Sequence, residues 1–361
     1  MSYQVPDRNL AIETSIGEAD VRFYDVRQEP FAVYGLYNPR TEPDFKRMPD
    51  AVAAAVSAGV AKLARNTAGG RVRFCTDSRY VAIRAEMPLM CLMSHMAFTG
   101  SAGFDLYVDS PETGMSRFWR AFRPAADAKG GFESKVVFAD RKRRWFTVNF
   151  PSYSNVRNLY IGLQQDAEVG AGMPYRSPLP VVYYGSSITQ GACATRPGNA
   201  YQNIISRELG LDFLNFGFSG NGRGEDAMID YLAGLPMLAF VSDYDHNAPG
   251  TAHLAQTHRR LYQAVRAAHP DIPYLMVSRT DDYSSNYGLR LDNRQAVLAN
   301  FEQARAQGDG NVYYIDGGEI FRGPHEDQCT VDGTHPTDIG FSLMADAIGC
   351  ALRQALMKNS I

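Results

Sequence analysis

A change of pattern near the middle of the chain constrains the fold more than any single motif. Ala167-Glu-Val-Gly-Ala-Gly-Met-Pro-Tyr-Arg-Ser-Pro-Leu-Pro180 is rich in glycine and proline and lacks periodicity, which reads as a linker. Before it, about nine short runs of β-formers are separated by Gly, Asp and Ser turns. They are Val21–Tyr24, Phe31–Tyr37, Gly70–Cys75, Tyr80–Glu86, Gly103–Val108, Arg117–Phe122, Lys135–Phe138, Arg144–Asn149 and Val156–Leu163. Strands at that spacing predict a β-sandwich of jelly-roll type. One alanine-rich exception, Pro49–Leu63, predicts a helix.

After the linker, strands alternate with helices. Strands are predicted at Val181–Tyr184, Phe213–Phe218, Met237–Ser242, Tyr274–Ser278 and Val312–Ile315, and helices at Gly198–Leu209, Gly224–Ala233, Thr251–Ala268, Arg294–Gln307 and Thr337–Met357. Such alternation means a parallel sheet flanked by helices, whose post-strand loops gather at one edge. The expected fold class is therefore α/β, with a β-sandwich domain over residues 1–173 and a catalytic domain over 174–361. A chain of 361 residues is long enough for both to bury a core.

Two stretches of the second half carry chemistry. The apolar run Val181-Val-Tyr-Tyr184 ends in Gly185-Ser-Ser187-Ile-Thr-Gln-Gly191, placing serines on a turn at the carboxyl end of a strand. Far downstream, Asp332-Gly-Thr-His335-Pro336 puts a carboxylate and an imidazole three residues apart. A serine hydroxyl needs a general base, and histidine suits that role near neutral pH. A carboxylate on the other ring nitrogen fixes the tautomer. Serine is also common in turns for purely conformational reasons, so it is the pairing that points to a nucleophile.

In these residues the chain resembles the SGNH (GDSL-type) hydrolases. Gly185–Gly191 resembles their first block and Asp332-x-x-His335 their last. Asn215-Phe-Gly-Phe-Ser-Gly220-Asn221 resembles the second block, and Asp243-Tyr-Asp-His-Asn247 a divergent third. The resemblance covers residues 178–357. It implies a flavodoxin-like hydrolase domain, Ser187 as nucleophile, His335 as base, Asp332 as its orienting acid, and Gly220 and Asn247 as oxyanion donors. Two positions depart from the pattern: Ser186 stands where the family has aspartate, and Asp245 where it has glycine. Gly103-Phe-Asp-Leu-Tyr107 resembles the GxDLY signature of a β-rich domain that precedes some of these esterases. Alternation along a strand accounts for Asp105 and Tyr107 as structural residues.

Other readings compete for the same residues. Gly217-Phe-Ser219-Gly-Asn221 is a near miss to the Gly-x-Ser-x-Gly elbow, with asparagine in place of the last glycine. Asp243, Asp245, His246, His253 and His258 are potential metal ligands, which would suit a metallo-phosphoesterase. His253 and His258 are five apart, however, and do not share a helix face; the plainer reading is exposed helical histidines. A sugar-binding protein with a silent hydrolase domain is a third possibility, against which the intact Ser187, Asp332 and His335 argue.

The remaining composition is ordinary. Charged residues are 21% of the chain and the formal net charge is −3, which gives no case for nucleic acid or an anionic membrane as partner. Arg141–Arg144 reads as a solvated hairpin tip. The N-terminus has no basic start followed by an apolar core, so no signal peptide is expected. Nor is there a run of roughly 18 apolar residues. Five scattered cysteines without a C-x-x-C pair suit reduced thiols and a cytoplasmic location; Cys193 and Cys329 are expected to be packing residues. The expectation is a serine esterase that uses no cofactor and no metal. It would act on short acyl, foremost acetyl, esters of small molecules or oligosaccharides, with other carboxylic esters as the alternative. Trp119, Tyr283 and Tyr287 are candidate sugar platforms. The chemistry is expected to lie wholly in the second domain.

Overall fold

The computed structural model describes residues 16–280, the backbone of 287–290, and residues 291–358. In the first half, strands β1 (Val21–Asp25), β2 (Ala32–Tyr34), β3 (Arg71–Thr76), β4 (Tyr80–Met87), β5 (Phe104–Asp109), β6 (Ser116–Phe122), β7 (Gly130–Val137), β8 (Arg144–Asn149), β9 (Asn158–Gln164) and β10 (Val169–Ala171) form two antiparallel sheets. One runs β1-β9-β4-β7; the other runs β10-β3-β8-β5-β6, with β2 beside β3. Their facing residues, among them Val72, Phe74, Ile83, Phe104, Leu106, Phe146 and Leu163, make a single apolar core. The sandwich is thus present. The expected linker contributes to it, because Val169–Ala171 pairs with Phe74–Thr76 as an edge strand.

The alanine-rich segment is two helices, α1 (Asp50–Val56) and α2 (Ala58–Leu63). The break falls at Ser57, which is extended (φ −171°, ψ 160°) and whose hydroxyl caps α2 at the Val60 N–H. A serine cap offsets the loss of one turn by satisfying an orphan donor. These helices do not join the sandwich core. Met48, Ala53, Val60 and Ala64 pack with Tyr184, Phe216, Phe218 and Met228 of the second half.

A third short helix, α3 (Phe98–Ser101), lies between β4 and β5; the second half begins at β11 (Val181–Gly185), followed by α4 (Ser187–Gln190), α5 (Tyr201–Leu209), β12 (Phe213–Gly217), α6 (Asp226–Ala233), β13 (Ala239–Asp243), α7 (Thr251–Ala268), β14 (Tyr274–Val277), α8 (Tyr287–Ala306), β15 (Val312–Ile315), α9 (Gly317–Ile320) and α10 (Asp338–Lys358). The sheet order is β12-β11-β13-β14-β15, all parallel, the order of flavodoxin-like folds. Every residue of β11 is buried, as a central parallel strand must be. Its side chains alternate between two cores: Val181 and Tyr183 face α5 and α10, while Val182 and Tyr184 face α6, α7 and the helices α1 and α2.

The last helix, α10, is long and apolar enough by length and composition to cross a membrane, although no uninterrupted apolar run of that length marks it in the sequence. Phe341, Met344, Ile348 and Leu352 on it are fully buried in the domain core.

Candidate active site

The site follows from the position of β11. Gly185 is in register with Gly217 of β12 on one side and Asp243 of β13 on the other, so three post-strand loops leave the same sheet edge together. The chain passes from Gly185 straight into α4, whose N-cap is Ser186: its buried hydroxyl accepts the Ile188 N–H at 3.2 Å. The serine that replaces the family's aspartate therefore does what short polar caps do. Ser187, at the first position of α4, is 7% exposed.

Ser187 Oγ lies 2.9 Å from His335 Nε2. His335 Nδ1 lies 2.7 Å from Asp332 Oδ2. The other carboxylate oxygen accepts the backbone N–H groups of His335 at 2.8 Å and Thr334 at 3.1 Å. Partial burial pushes the Asp332 carboxyl up, but the hydrogen bonds and the charge of His335 outweigh it and hold it below its ordinary value. Ser187 and the distant Asp332–His335 pair thus form an unbroken relay.

Gly220 and Asn247 sit on the neighbouring loops. Gly220 has φ +69°, and a Cβ there would meet open space, so the backbone turn and not crowding favours glycine. Its N–H makes no hydrogen bond to another described residue. Asn247 Oδ1 accepts the Gly222 N–H at 3.3 Å, and Gly222 itself lies against Gly185: a Cβ on it would fall 2.3 Å from the Gly185 carbonyl oxygen. The chain thereby gathers Ser187, Gly220 and Asn247 at one edge. Asp245, the other departure, anchors the loop after β14 by accepting the Arg279 N–H at 2.8 Å.

Several residues that the sequence did not single out reach this site. The Tyr153 hydroxyl, from the first half, donates to the Ser187 carbonyl oxygen at 3.3 Å. The His95 ring, also from the first half, lies 5.6 Å from that of His335. Gln190 bridges the halves: its amide nitrogen donates to Asn66 Oδ1 and the Ser152 carbonyl, and its oxygen accepts the Ser219 N–H at 3.0 Å. Arg47 is buried and donates to the carbonyls of Leu63 and Asn66 on one side and of Asn215 and Gly217 on the other. Burial pulls its pKa down to about 9, which leaves it a cation at neutral pH. None of these has a sequence signal of its own; only Gln190 falls inside a recognised block.

The rival residues are placed as follows. Among the described residues no histidine is bonded to Ser219, whereas Ser187 has His335. Asp243, Asp245 and His246 do bring ligand atoms within 4.8 Å of one another, as do His95, Cys193 and His335. His253 is exposed and bonded to the Arg223 carbonyl. His258, expected at the surface, is instead buried between Ser242 and Asn300, and burial lowers its pKa to about 4. Cys193 packs with Met96 and Tyr153, and burial, with the nearby Asp332 charge, pushes its thiol up to about 12. Trp119 packs on Phe138; Tyr283 and the side chain of Tyr287 lie outside the described residues.

Asp105 and Tyr107 of the GxDLY stretch are interdomain residues. Asp105, fully buried, accepts from Asn149, Gly198 N–H and Arg196, and the Tyr107 hydroxyl is bonded to Arg196. They are structural, as expected, but through contacts across the interface and not through strand alternation.

A flavodoxin-like sheet with a Ser–His–Asp relay at its carboxyl edge defines an SGNH-type hydrolase. Residues 179–353 match the GDSL-like lipase/acylhydrolase family, and residues 21–169 match the GxDLY domain, the N-terminus of SGNH-hydrolase-type esterases. The chain belongs to that family, with a GxDLY domain preceding the hydrolase domain. Among solved structures it is similar to one described as a GDSL-like lipase from Bacteroides ovatus, with 26% identity, 93% of this chain and 98% of that one covered, and a TM-score of 0.84. It shares its fold with the salicylyl-acyltransferase SsfX3 of a tetracycline biosynthetic pathway (20% identity, 95% and 99% covered, TM-score 0.73). The fold also recurs in a family two carbohydrate esterase from Cellvibrio japonicus (11%, 93% and 98%, 0.58). No curated protein matches the sequence at a significant level.

Proposed function

We propose that this chain is a serine esterase that removes short acyl groups, acetyl foremost, from carbohydrates through an acyl-enzyme at Ser187. The observation that carries this reading is the continuous Ser187–His335–Asp332 relay, with its two links of 2.9 and 2.7 Å. In the first step Ser187 Oγ attacks the ester carbonyl carbon as its proton passes to His335 Nε2. The tetrahedral intermediate collapses, and His335 returns the proton to the departing sugar oxygen. Water then repeats the sequence against the acyl-enzyme, releasing the acid and restoring Ser187. Asp332 holds the ring in the tautomer that presents Nε2 as acceptor and stabilises the imidazolium. The N–H groups of Ser187 and Gly220 and the Asn247 amide are the oxyanion donors; one such donor is typically worth ~10²–10³ in rate. The Gly222 N–H on Asn247 Oδ1 leaves the amide nitrogen available to donate.

Two considerations support the substrate. The sequence contains no long apolar insertion that would form a lid for fatty acyl chains. Carbohydrate esterases share the whole two-part fold, down to the N-terminal half. A sugar-binding protein without turnover would have no use for the aligned acid–base pair.

The test combines labelling with a substrate panel. A serine-directed organophosphate should modify Ser187, and acetylated xylo- or manno-oligosaccharides should release acetate. p-Nitrophenyl acetate should be cleaved with a higher kcat/KM than the octanoate. An adduct on Ser219, or faster cleavage of the octanoate, would overturn the assignment.

A further inference from the structure

Away from the triad, the two halves and the segment joining them enclose a cavity of about 90 Å³. Its walls include four arginines: Arg71 and Arg73 from β3, Arg176 from the connecting segment and Arg207 from α5. Among the described residues no aspartate or glutamate lines it. Arg71 and Arg73 do have acidic partners, Asp212 and Asp109, but these stand outside the lining. Arg207 rests on the Tyr107 ring at 4.3 Å and donates to the Gly198 carbonyl, and burial pulls its pKa down against the charge of nearby Asp105. Cations gathered without a lining anion repel one another, at a cost that burial increases.

Two buried polar atoms sharpen the case. Arg73 is 6% exposed and its Nη1 has no hydrogen-bond partner among the described residues; Asn203 is 4% exposed and its Oδ1 has none either. Both residues line the cavity. An unsatisfied buried donor costs about 1–3 kcal/mol, more when charged, so each such group calls for an explanation. Water could meet either need; only an anion would also answer the charge.

We infer that this interdomain cavity is a binding site for a small oxyanion, a phosphate or carboxylate group bearing a hydroxyl. The oxygens would accept from Arg73 Nη1 and the neighbouring guanidiniums, which suit planar or tetrahedral oxyanions. The hydroxyl would donate to Asn203 Oδ1. A volume of about 90 Å³ admits one such group. Because both halves contribute walls, the ligand would join them, and its binding would appear as stability.

The full-length protein is melted at constant ionic strength in chloride, inorganic phosphate, glycolate or acetate, with calorimetric titration of each anion. Phosphate, glycolate or both should raise Tm saturably, by roughly 2–4 °C at about tenfold over the dissociation constant, and acetate, which lacks the hydroxyl, should do so less. Which of the two acts tells a phosphate ligand from a hydroxy-acid ligand. Arg73→Gln should abolish the saturable rise. Arg176→Ala, a change at an exposed residue that keeps the fold testable if the first variant is unstable, should weaken it several-fold. No saturable rise with either anion, or an equal rise in both variants, would overturn the site and leave a water-filled cavity.

Discussion

Ser187 leaves the sheet at the start of a helix capped by a serine, and the relay behind it ends in a carboxylate that is not deeply buried. The Asp332 side chain is 40% exposed, against 22% for His335. Where the orienting aspartate is buried, its amide costs about 10⁴ in kcat; solvent that shares the imidazolium charge makes that loss smaller. Asp332→Asn should therefore lower kcat on p-nitrophenyl acetate by roughly 10², while Ser187→Ala abolishes turnover and Ser219→Ala retains much of it. A loss under threefold for Asp332→Asn would remove it from the relay. The same neighbourhood sets the behaviour of Cys193. With its thiol pushed up to about 12, it is protonated at pH 8 and, being buried, should resist iodoacetamide while exposed Cys350 is alkylated. Peptide mapping that finds Cys193 modified as fast as Cys350 would contradict that environment.

At the scale of elements, what could be read in advance was what local pattern encodes. The alternation after the linker marked all five parallel strands, because a strand buried on both faces is a continuous apolar run and its following loop is polar. The Gly185-Ser-Ser187 and Asp332–His335 segments were legible for the same reason: each is a short loop at a strand or helix end. Contacts between distant segments were not. Tyr153, His95 and Gln190 look like ordinary residues until the two halves dock, and Ser57 breaks a helix that its alanines favour. Asp243, at the end of β13, is such a case with a measurable consequence. Burial, then the nearby Asp245, push its carboxyl up to about 8, against hydrogen bonds from Thr189 and Tyr201 that favour the ionised form. The folded chain therefore keeps a proton that the unfolded chain releases near pH 4. Between those values the native state binds more protons, so stability falls as pH rises from about 4 to about 8 and levels off above. Asp243→Asn removes the titration. Relative to the variant, the wild type should lose at most about 1.4 kcal/mol per pH unit across that window, seen in urea unfolding at pH 5, 6, 7 and 8. Parallel curves for the two proteins would show that Asp243 is ionised in the fold.

The whole molecule is less divisible than its change of pattern at residues 167–180 suggests. A split into a sandwich that binds and a second half that reacts would leave a chain starting near Pro174 active on simple esters. Three features oppose that. Met48, Ala53, Val60 and Ala64 fill one face of the parallel sheet although they lie between sandwich strands β2 and β3 in sequence; a buried Met or Val alone contributes about 1.5–3 kcal/mol. Gln190, the last residue of the helix that Ser187 begins, takes its partners Asn66 and Ser152 from the first half and passes the constraint to Ser219, one residue before Gly220. Tyr153 holds the Ser187 carbonyl. A chain beginning at Pro174 would expose the first surface and leave the Gly220 loop without its brace. It should bind ANS, unfold at a lower temperature than the full chain, and lose at least tenfold in kcat on p-nitrophenyl acetate as well as on acetylated oligosaccharides. Co-expressing residues 1–173 as a separate chain should restore part of both activities, since the missing groups act by packing and need no peptide link. A truncated chain that is folded by circular dichroism and as active as the full one on the aryl ester would show that the first half serves the sugar alone.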